Sequence, residues 1–254
     1  MNKKNKKGYF GAAALAAALI LLWQLLSISG IIPPYMLPGP VQVVQAGLRD
    51  ASLLLIHLLQ TLKQAGLGLA LALVFSFILA ILLDANRFLK ETITPLLTLT
   101  QTMPVIALAP LLVLWMGYGA APKIALVFLT CFFPLTVGLL GAFAHAGEDE
   151  QRLLKTMGAN RYQLYWYIKL PQSLPAFFSA LRISAAYSII GAVIAEWLGG
   201  DAGLGVYMIR VRKSYSFDRM FAAIVLVSLL SLCLVKLVDI IERAVMPWRS
   251  QKSL

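Results

Sequence analysis

The chain has 254 residues, 60% of them hydrophobic and 13% charged, with a mean hydropathy of +0.81. That charge is about half of what an ordinary soluble domain carries, so most of the chain is solvated by lipid and a soluble globular fold is excluded. The net charge of +11 does not point to nucleic acid, because the basic residues sit at the ends of apolar segments and form no continuous basic surface interleaved with aromatics.

With about 20 apolar residues needed per crossing, six crossings and their loops fit this length. The first apolar segment, 9–28, follows MNKKNKK and ends at SISGIIPPYMLPGP, whose prolines cannot continue a helix. It is too long for a signal peptide and meets no small-residue cleavage signature before Pro33-Pro34, so it is expected to remain as the first span. Residues 41–57 mix Gln42, Gln45, Arg49 and Asp50 with apolar side chains, which suits an interfacial helix on the outer face. The second span is expected at 58–83.

The polar break DANRFLKE, 84–91, leads to a third segment, 92–116, interrupted by Pro95, Pro104 and Pro110. Proline-rich spans survive only where neighbouring helices or side chains take up the freed carbonyls, which places this one inside the bundle. A GYGAAPK turn precedes the fourth span, 124–143, which carries Pro134 and Gly138. A charged, aromatic loop at 148–171 separates it from the fifth, 174–198, and the sixth covers 220–241. These limits divide the chain into an N-terminal part, 1–57, a core, 58–245, and a tail, 246–254.

Basic residues orient the spans. Lys3, Lys4, Lys6, Lys7, Arg87, Lys90, Arg152, Lys155, Arg161, Lys169, Arg243, Arg249 and Lys252 fall on one side, against Arg49, Lys63, Lys123, Arg210, Arg212, Lys213 and Arg219 on the other, which predicts that both termini and the 148–171 loop face the cytoplasm. Arg210, Arg212, Lys213 and Arg219 run against this bias on the outer side. Either they form an outward docking surface for an acidic partner, or they are neutralised locally by Asp201 and Asp218.

Candidate chemistry is sparse. Cys131 and Cys233 lie in apolar segments without CxxC spacing, which predicts buried small hydrophobes, not a metal or redox site. His57 and His145 are the only histidines, and no HExxH, paired acids or Ser/His/Asp grouping accompanies them, so neither catalytic nor metal-ligating residues are expected. There is no GxxxxGK[ST] loop, so no ATP is bound by this chain in the P-loop manner.

The 148–171 loop is the most specific feature. Gly158 is followed by Ile168, Leu170 and Pro171 in the order G-x9-I-x-L-P, and Gly158 fits the left-handed residue that ends one short helix and reverses the chain into a second. The second helix, 160–169, offers Tyr162, Tyr165, Trp166 and Tyr167, and Pro171 is expected to stop it before the fifth span. The pattern resembles the latter half of the EAA loop of ABC importer permeases, which grips the ATPase partner. Where that pattern has E-A-A, this chain has Arg152, Leu153 and Leu154, with Glu150 the nearest acid. Two further stretches resemble permeases of the nitrate, sulfonate, taurine and thiamine-precursor group: PVIALAPLLVLWMGYG from Pro104 to Gly119, and AEWLGGDAGLGVYM from Ala195 to Met208.

The resemblance implies an all-α, polytopic membrane protein with six transmembrane helices and the type I ABC importer permease fold, set in a bacterial inner membrane. It implies a subunit that is not itself an enzyme and binds no cofactor. ATP is used by ABC ATPase subunits, an extracytoplasmic solute-binding protein delivers the cargo, and a second copy of the permease completes a homodimer. The coupling surface would comprise Glu150, Met157, Gly158, Ala159, Asn160, Ile168, Leu170 and Pro171. Met103, Pro104, Trp115 and Glu196 would line the translocation path, although the first three also suit simple packing. Glu196 also suits an interfacial pair with Arg210 or Arg212. The WLGGDAGLGVYM stretch most resembles permeases for hydroxymethylpyrimidine or other thiamine precursors, with sulfonates, taurine and nitrate as the other cargo classes. An ion-coupled secondary transporter is the alternative, but the chain shows neither an internal repeat nor a set of mid-span carboxylates.

Overall fold

The computed structural model describes residues 3–250 other than Ile31, Pro34, Met103, His145 and Ala146. Met103, His145 and the tail beyond Ser250 therefore lie outside the described residues. The described chain is helical: α1 (Lys3–Ile28), α2 (Pro40–Arg49), α3 (Ala51–Ala85), α4 (Arg87–Thr102), α5 (Val105–Met116) and α6 (Ala121–Ala144) precede the loop. Within it lie α7 (Glu148–Thr156), α8 (Arg161–Leu164) and a π-helical turn (Tyr165–Lys169), and then come α9 (Leu170–Trp197), α10 (Leu204–Lys213), α11 (Phe217–Val245) and α12 (Pro247–Ser250).

Among the described residues, α3, α6, the continuous run Arg161–Trp197 and α11 are long and apolar enough to cross a membrane. The bent pair α4–α5 makes a fifth span if it counts as one broken crossing, and α1 contributes the shorter apolar stretch Ala14–Ile28. Three expectations change. The third segment is not one proline-interrupted helix: its two halves meet at 95°. Pro104 is the physical reason, since it lacks an N–H and sits extended at φ −68°, ψ 98°.

The second span begins at Ala51, so the boundary at 57–58 falls inside α3. At 35 residues this helix is about 52 Å long, well beyond a hydrocarbon core of about 30 Å, so it is longer than one upright crossing needs. Pro171 does not stop the loop's second helix, because the helix runs unbroken from Arg161 to Trp197. The widened turn just before it, in which the Leu170 N–H reaches back to the Tyr165 carbonyl, takes up the ring and the missing donor.

Small residues set the helix packing. Ala65, Gly68, Ala72, Ser76 and Ala80 recur at helical spacing along the buried face of α3, and a Cβ at Gly68 would already overlap Val127 of α6. Gly138 of α6 meets Ala180 of α9 in the same way. Close backbone approach of this kind is how helices associate where lipid removes the hydrophobic drive between them. Polar groups join the same seams: Ser76 Oγ donates to the Phe132 carbonyl at 3.1 Å, and Cys131 Sγ to the Ser184 carbonyl at 3.3 Å. Cys131 is buried as the sequence predicts, whereas Cys233 is exposed on the outer face of α11, among Leu229, Leu232, Leu237 and Ile240. Its helix is packed on one side only, so that position meets lipid or another chain.

Candidate functional site

The 148–171 loop folds as a helical knob. α7 ends in a Schellman motif: the Gly158 N–H donates to the Lys155 carbonyl at 3.0 Å and the Ala159 N–H to the Leu154 carbonyl at 2.9 Å. That geometry requires a left-handed residue, and Gly158 supplies it at φ +86°. Asn160 then caps the next helix reciprocally, its Oδ1 accepting from the Gln163 N–H at 2.9 Å while its own N–H donates to Gln163 Oε1 at 2.8 Å. At the start of the knob, Gly147 is left-handed at φ +46° and the Glu150 carboxylate folds back over it.

The knob has a dry side and a bare side. Leu164 and Ile168 are buried, and Leu170 and Pro171 are half-buried, so they attach it to the bundle. Met157 is 73% exposed, and Leu153, Tyr162, Trp166 and Tyr167 are exposed with it. An apolar, aromatic patch of this size on a polar loop marks a partner surface or the headgroup layer.

One group that sequence reasoning passed over anchors the knob. Asp84, at the C-terminal end of α3, accepts from both the Tyr165 hydroxyl and Lys169 Nζ, and Lys90 approaches its other oxygen at 3.8 Å. Lys169 Nζ also stands 4.9 Å from the centre of the Tyr165 ring, whose edge meets Phe143 of α6 at 5.9 Å between centroids. Asp84 was legible only as a lone acid closing a long apolar run, which is a weak signal by itself.

The opposite end of α3 is fastened through Glu196. This carboxylate is 1% exposed. It accepts from Thr61 Oγ1 at 2.9 Å and from the Gly205 N–H at 2.8 Å, while the Leu204 N–H donates to Thr61 Oγ1 at 2.8 Å and the Gly203 N–H to His57 Nδ1 at 2.9 Å. Three N–H groups at the start of α10, which no helical carbonyl can satisfy, thus find partners on α3 and α9, with a carboxylate at the positive end of the helix. The glycines follow from the same packing. A Cβ at Gly203 would overlap the Glu196 carboxylate, and one at Gly205 would overlap the Val193 carbonyl oxygen.

Glu196 is thus held in a buried hydrogen-bond cluster and makes no ion pair with Arg210 or Arg212 among the described residues. Arg210 donates instead to the Asp201 carbonyl at 2.8 Å, and Asp50, between α2 and α3, accepts from Tyr207 at 2.7 Å and pairs with Arg219 at 3.4 Å. Burial and the Asp50 carboxylate push the Tyr207 hydroxyl up, so it stays a donor. Arg212 and Lys213 are exposed and make no ion pair among the described residues. Pro104 lies at the break between α4 and α5, and Trp115 is 71% exposed near the end of α5.

Arg182 of α9 bonds to Asp239 at 2.6 Å and also pairs with Glu242, both on α11. Ionisable groups in a span are costly unless paired in this way.

Residues 68–247 match the family described as binding-protein-dependent transport system inner membrane component. The chain is 36% identical over 235 residues to the formylaminopyrimidine transport permease protein ThiX of Halalkalibacterium halodurans, covering 92% of this chain and 94% of that one. It is 38% identical over 225 residues to a probable ABC transporter permease protein of Haemophilus influenzae, covering 89% and 92%. Among solved structures, a chain of an inward-facing MetNI methionine ABC transporter superposes with a TM-score of 0.69 at 20% identity, over 78% of this chain and 98% of that one.

Proposed function

We propose that this chain, which belongs to the family of binding-protein-dependent transport system inner membrane components, carries a small aminopyrimidine of the thiamine-precursor class into the cytoplasm. It is a multi-pass transmembrane permease subunit of an ABC importer and has the type I importer permease fold. The family implies an ATPase and a binding protein as its partners. The cargo class is supported by the 36% identity to a formylaminopyrimidine permease over nearly the whole of both chains. It is supported also by the AEWLGGDAGLGVYM stretch.

The observation that carries the coupling role is the bare aromatic side of a knob whose other side is anchored on α3 and α9. Met157, Gly158, Ala159 and Asn160 form its turn and Ile168, Leu170 and Pro171 its root, so a partner that moves Tyr162 and Trp166 moves α9 with them. ATP binding closes the paired motor subunits, draws the knobs of two permease copies together and turns the path between them outward, and hydrolysis resets it. The ligand shifts the equilibrium because it binds one state better than the other. Both termini lie in the cytoplasm of a bacterial inner membrane, with α1 and the broken α4–α5 pair completing six crossings. Met103, Pro104 and Trp115, on the broken segment, line the path between the copies, while Glu196 holds the outer loop in place.

Reconstitution of the permease with its ATPase and binding protein in proteoliposomes tests both points. Labelled formylaminopyrimidine should enter in an ATP-dependent manner and be competed by hydroxymethylpyrimidine but not by taurine or nitrate. The opposite competition pattern sinks the cargo assignment. A cysteine at Tyr162 should crosslink to the ATPase, and failure to do so sinks the coupling role.

A further inference from the structure

We propose that Asp84 is a positioning residue for transport: it is the link through which the knob pulls on α3. The inference rests on the reading of 148–171 as the ATPase-coupling loop. Asp84 is one residue from the end of its helix, yet its side chain is only 5% exposed. It lies in a groove of about 600 Å³ between the inner end of α3 and the knob, beside Lys155, Tyr162 and Trp166.

One carboxylate ties three elements together. Its Oδ2 takes the Tyr165 hydroxyl and Lys169 Nζ, both from the π-helical turn, and its Oδ1 faces Lys90 at the start of α4. Through Lys90 the tie continues into the segment that breaks at Pro104. The two donors from the knob are fixed relative to one another, because Lys169 stacks on the Tyr165 ring.

The direction of the force decides why a carboxylate is needed there. The knob also touches the bundle through the Phe143–Tyr165 ring contact and the buried Ile168, and apolar contacts of that sort resist pushing but slide or part under tension. A charged hydrogen bond from two donors resists separation as well. The tie is placed where an outward swing of the knob would otherwise leave α3 behind. The π turn supplies slack, since its wider winding allows Tyr165 and Lys169 to keep hold of Asp84 while the rest of the knob tilts. Had the contact served only to hold α3 in the bundle, the small-residue seam between α3 and α6 would already provide that.

The test uses the complete transporter in proteoliposomes and reads substrate taken up per ATP hydrolysed, together with crosslinking of Tyr162→Cys to the ATPase in each background. Asp84→Asn should lower the ratio roughly tenfold, within the range usual for coupling between sites, while the ATPase still crosslinks. Lys169→Met should lower it similarly, the two changes combined should be no worse than either alone, and Asp84→Glu should recover part of the loss. An unchanged ratio in Asp84→Asn, or losses that multiply in the double variant, overturns the proposal and leaves the coupling reading standing. Should Asp84→Asn not accumulate, Asp84→Glu and Lys169→Met carry the comparison, and wild-type ratios in both overturn it. Loss of the crosslink in the otherwise unaltered protein overturns both readings.

Discussion

α3 is fastened to the α9 region at both ends, but with different materials. At the outer end the donors are mostly backbone N–H groups of Gly203, Leu204 and Gly205, the acceptors are Glu196, Thr61 and His57, and no room is left for a Cβ at either glycine. At the inner end the donors are the long side chains of Lys169 and Lys90 and the hydroxyl of Tyr165, set beside an open groove and a widened helical turn. A joint made of backbone and packed glycine has one geometry. A joint made of lysines can keep its bonds while its parts change angle. The contrast fits an importer whose engine acts on the inner surface and whose outer loop must stay ordered enough to receive a partner.

If the outer clasp is as rigid as its packing indicates, the largest effect belongs to Gly205→Val. The new side chain meets the Val193 carbonyl and the Glu196 Cβ, neither of which can retreat. Overpacking alone costs about 1–3 kcal/mol. The hydrogen bonds lost with it should keep the permease from accumulating in the membrane fraction, as a quantitative blot would show. Glu196→Leu comes next, because it orphans the Gly205 N–H, at about 1–3 kcal/mol for a buried unsatisfied group, and leaves the Thr61 hydroxyl with only the His57 carbonyl as acceptor. A thermal melt of the purified complex should fall clearly for Leu and far less for Glu196→Gln, which retains an oxygen acceptor. Equal losses would mean that the carboxylate's charge, not its hydrogen bonding, holds α10.

At the inner end the expected signature is loss of work, not loss of protein. Gly158→Val forces a β-branched residue into φ +86°, at about 1–2 kcal/mol, but a Cβ there meets nothing within 4 Å. The chain should reach the membrane in normal amount and hydrolyse ATP with its partner while uptake falls. If uptake per ATP is unchanged, the turn is not part of the transmission, and the contrast between the two ends loses its functional meaning.

How much of this was legible in the sequence differs by element. Gly158 was readable because a left-handed helix end demands glycine, and the structure shows the two hydrogen bonds that make the demand. The long apolar helices were readable from hydropathy, but not the break at Pro104: a proline is compatible with a kink, as Pro110 and Pro134 are inside their helices, or with a 95° bend, and tertiary contacts decide which. Pro171 misled for the same reason, since the widened turn that absorbs it has no signature of its own in the sequence. Glu196 stood out as a costly carboxylate, yet its side-chain partner is Thr61, more than a hundred residues away, and its other donor is the backbone N–H of Gly205, which no side-chain pattern encodes. Asp84 was unreadable because its role depends on where the loop helix docks.

The smallest expected effect concerns the outer surface that the clasp supports. Arg212 and Lys213 stand exposed at the end of α10, next to Tyr215, which is 77% exposed and held at φ +57°. Arg210 and Arg219 are occupied by the Asp201 carbonyl and Asp50, and none of the four pairs with Asp218. Only Arg219 of the four has an ionic partner among the described residues, so an acidic face on the solute-binding protein is the counterpart to test for Arg212 and Lys213. Exposed charges of this kind steer encounter more than they hold a complex, so Arg212→Glu with Lys213→Glu should slow association of the loaded binding protein roughly tenfold at low salt and leave dissociation nearly unchanged. Raising the salt should erase the difference between variant and parent, because exposed charges are screened within about 10 Å at 0.1 M. Surface plasmon resonance on nanodisc-embedded transporter reads both rates. A change confined to dissociation would instead make these residues part of a tight, desolvated contact.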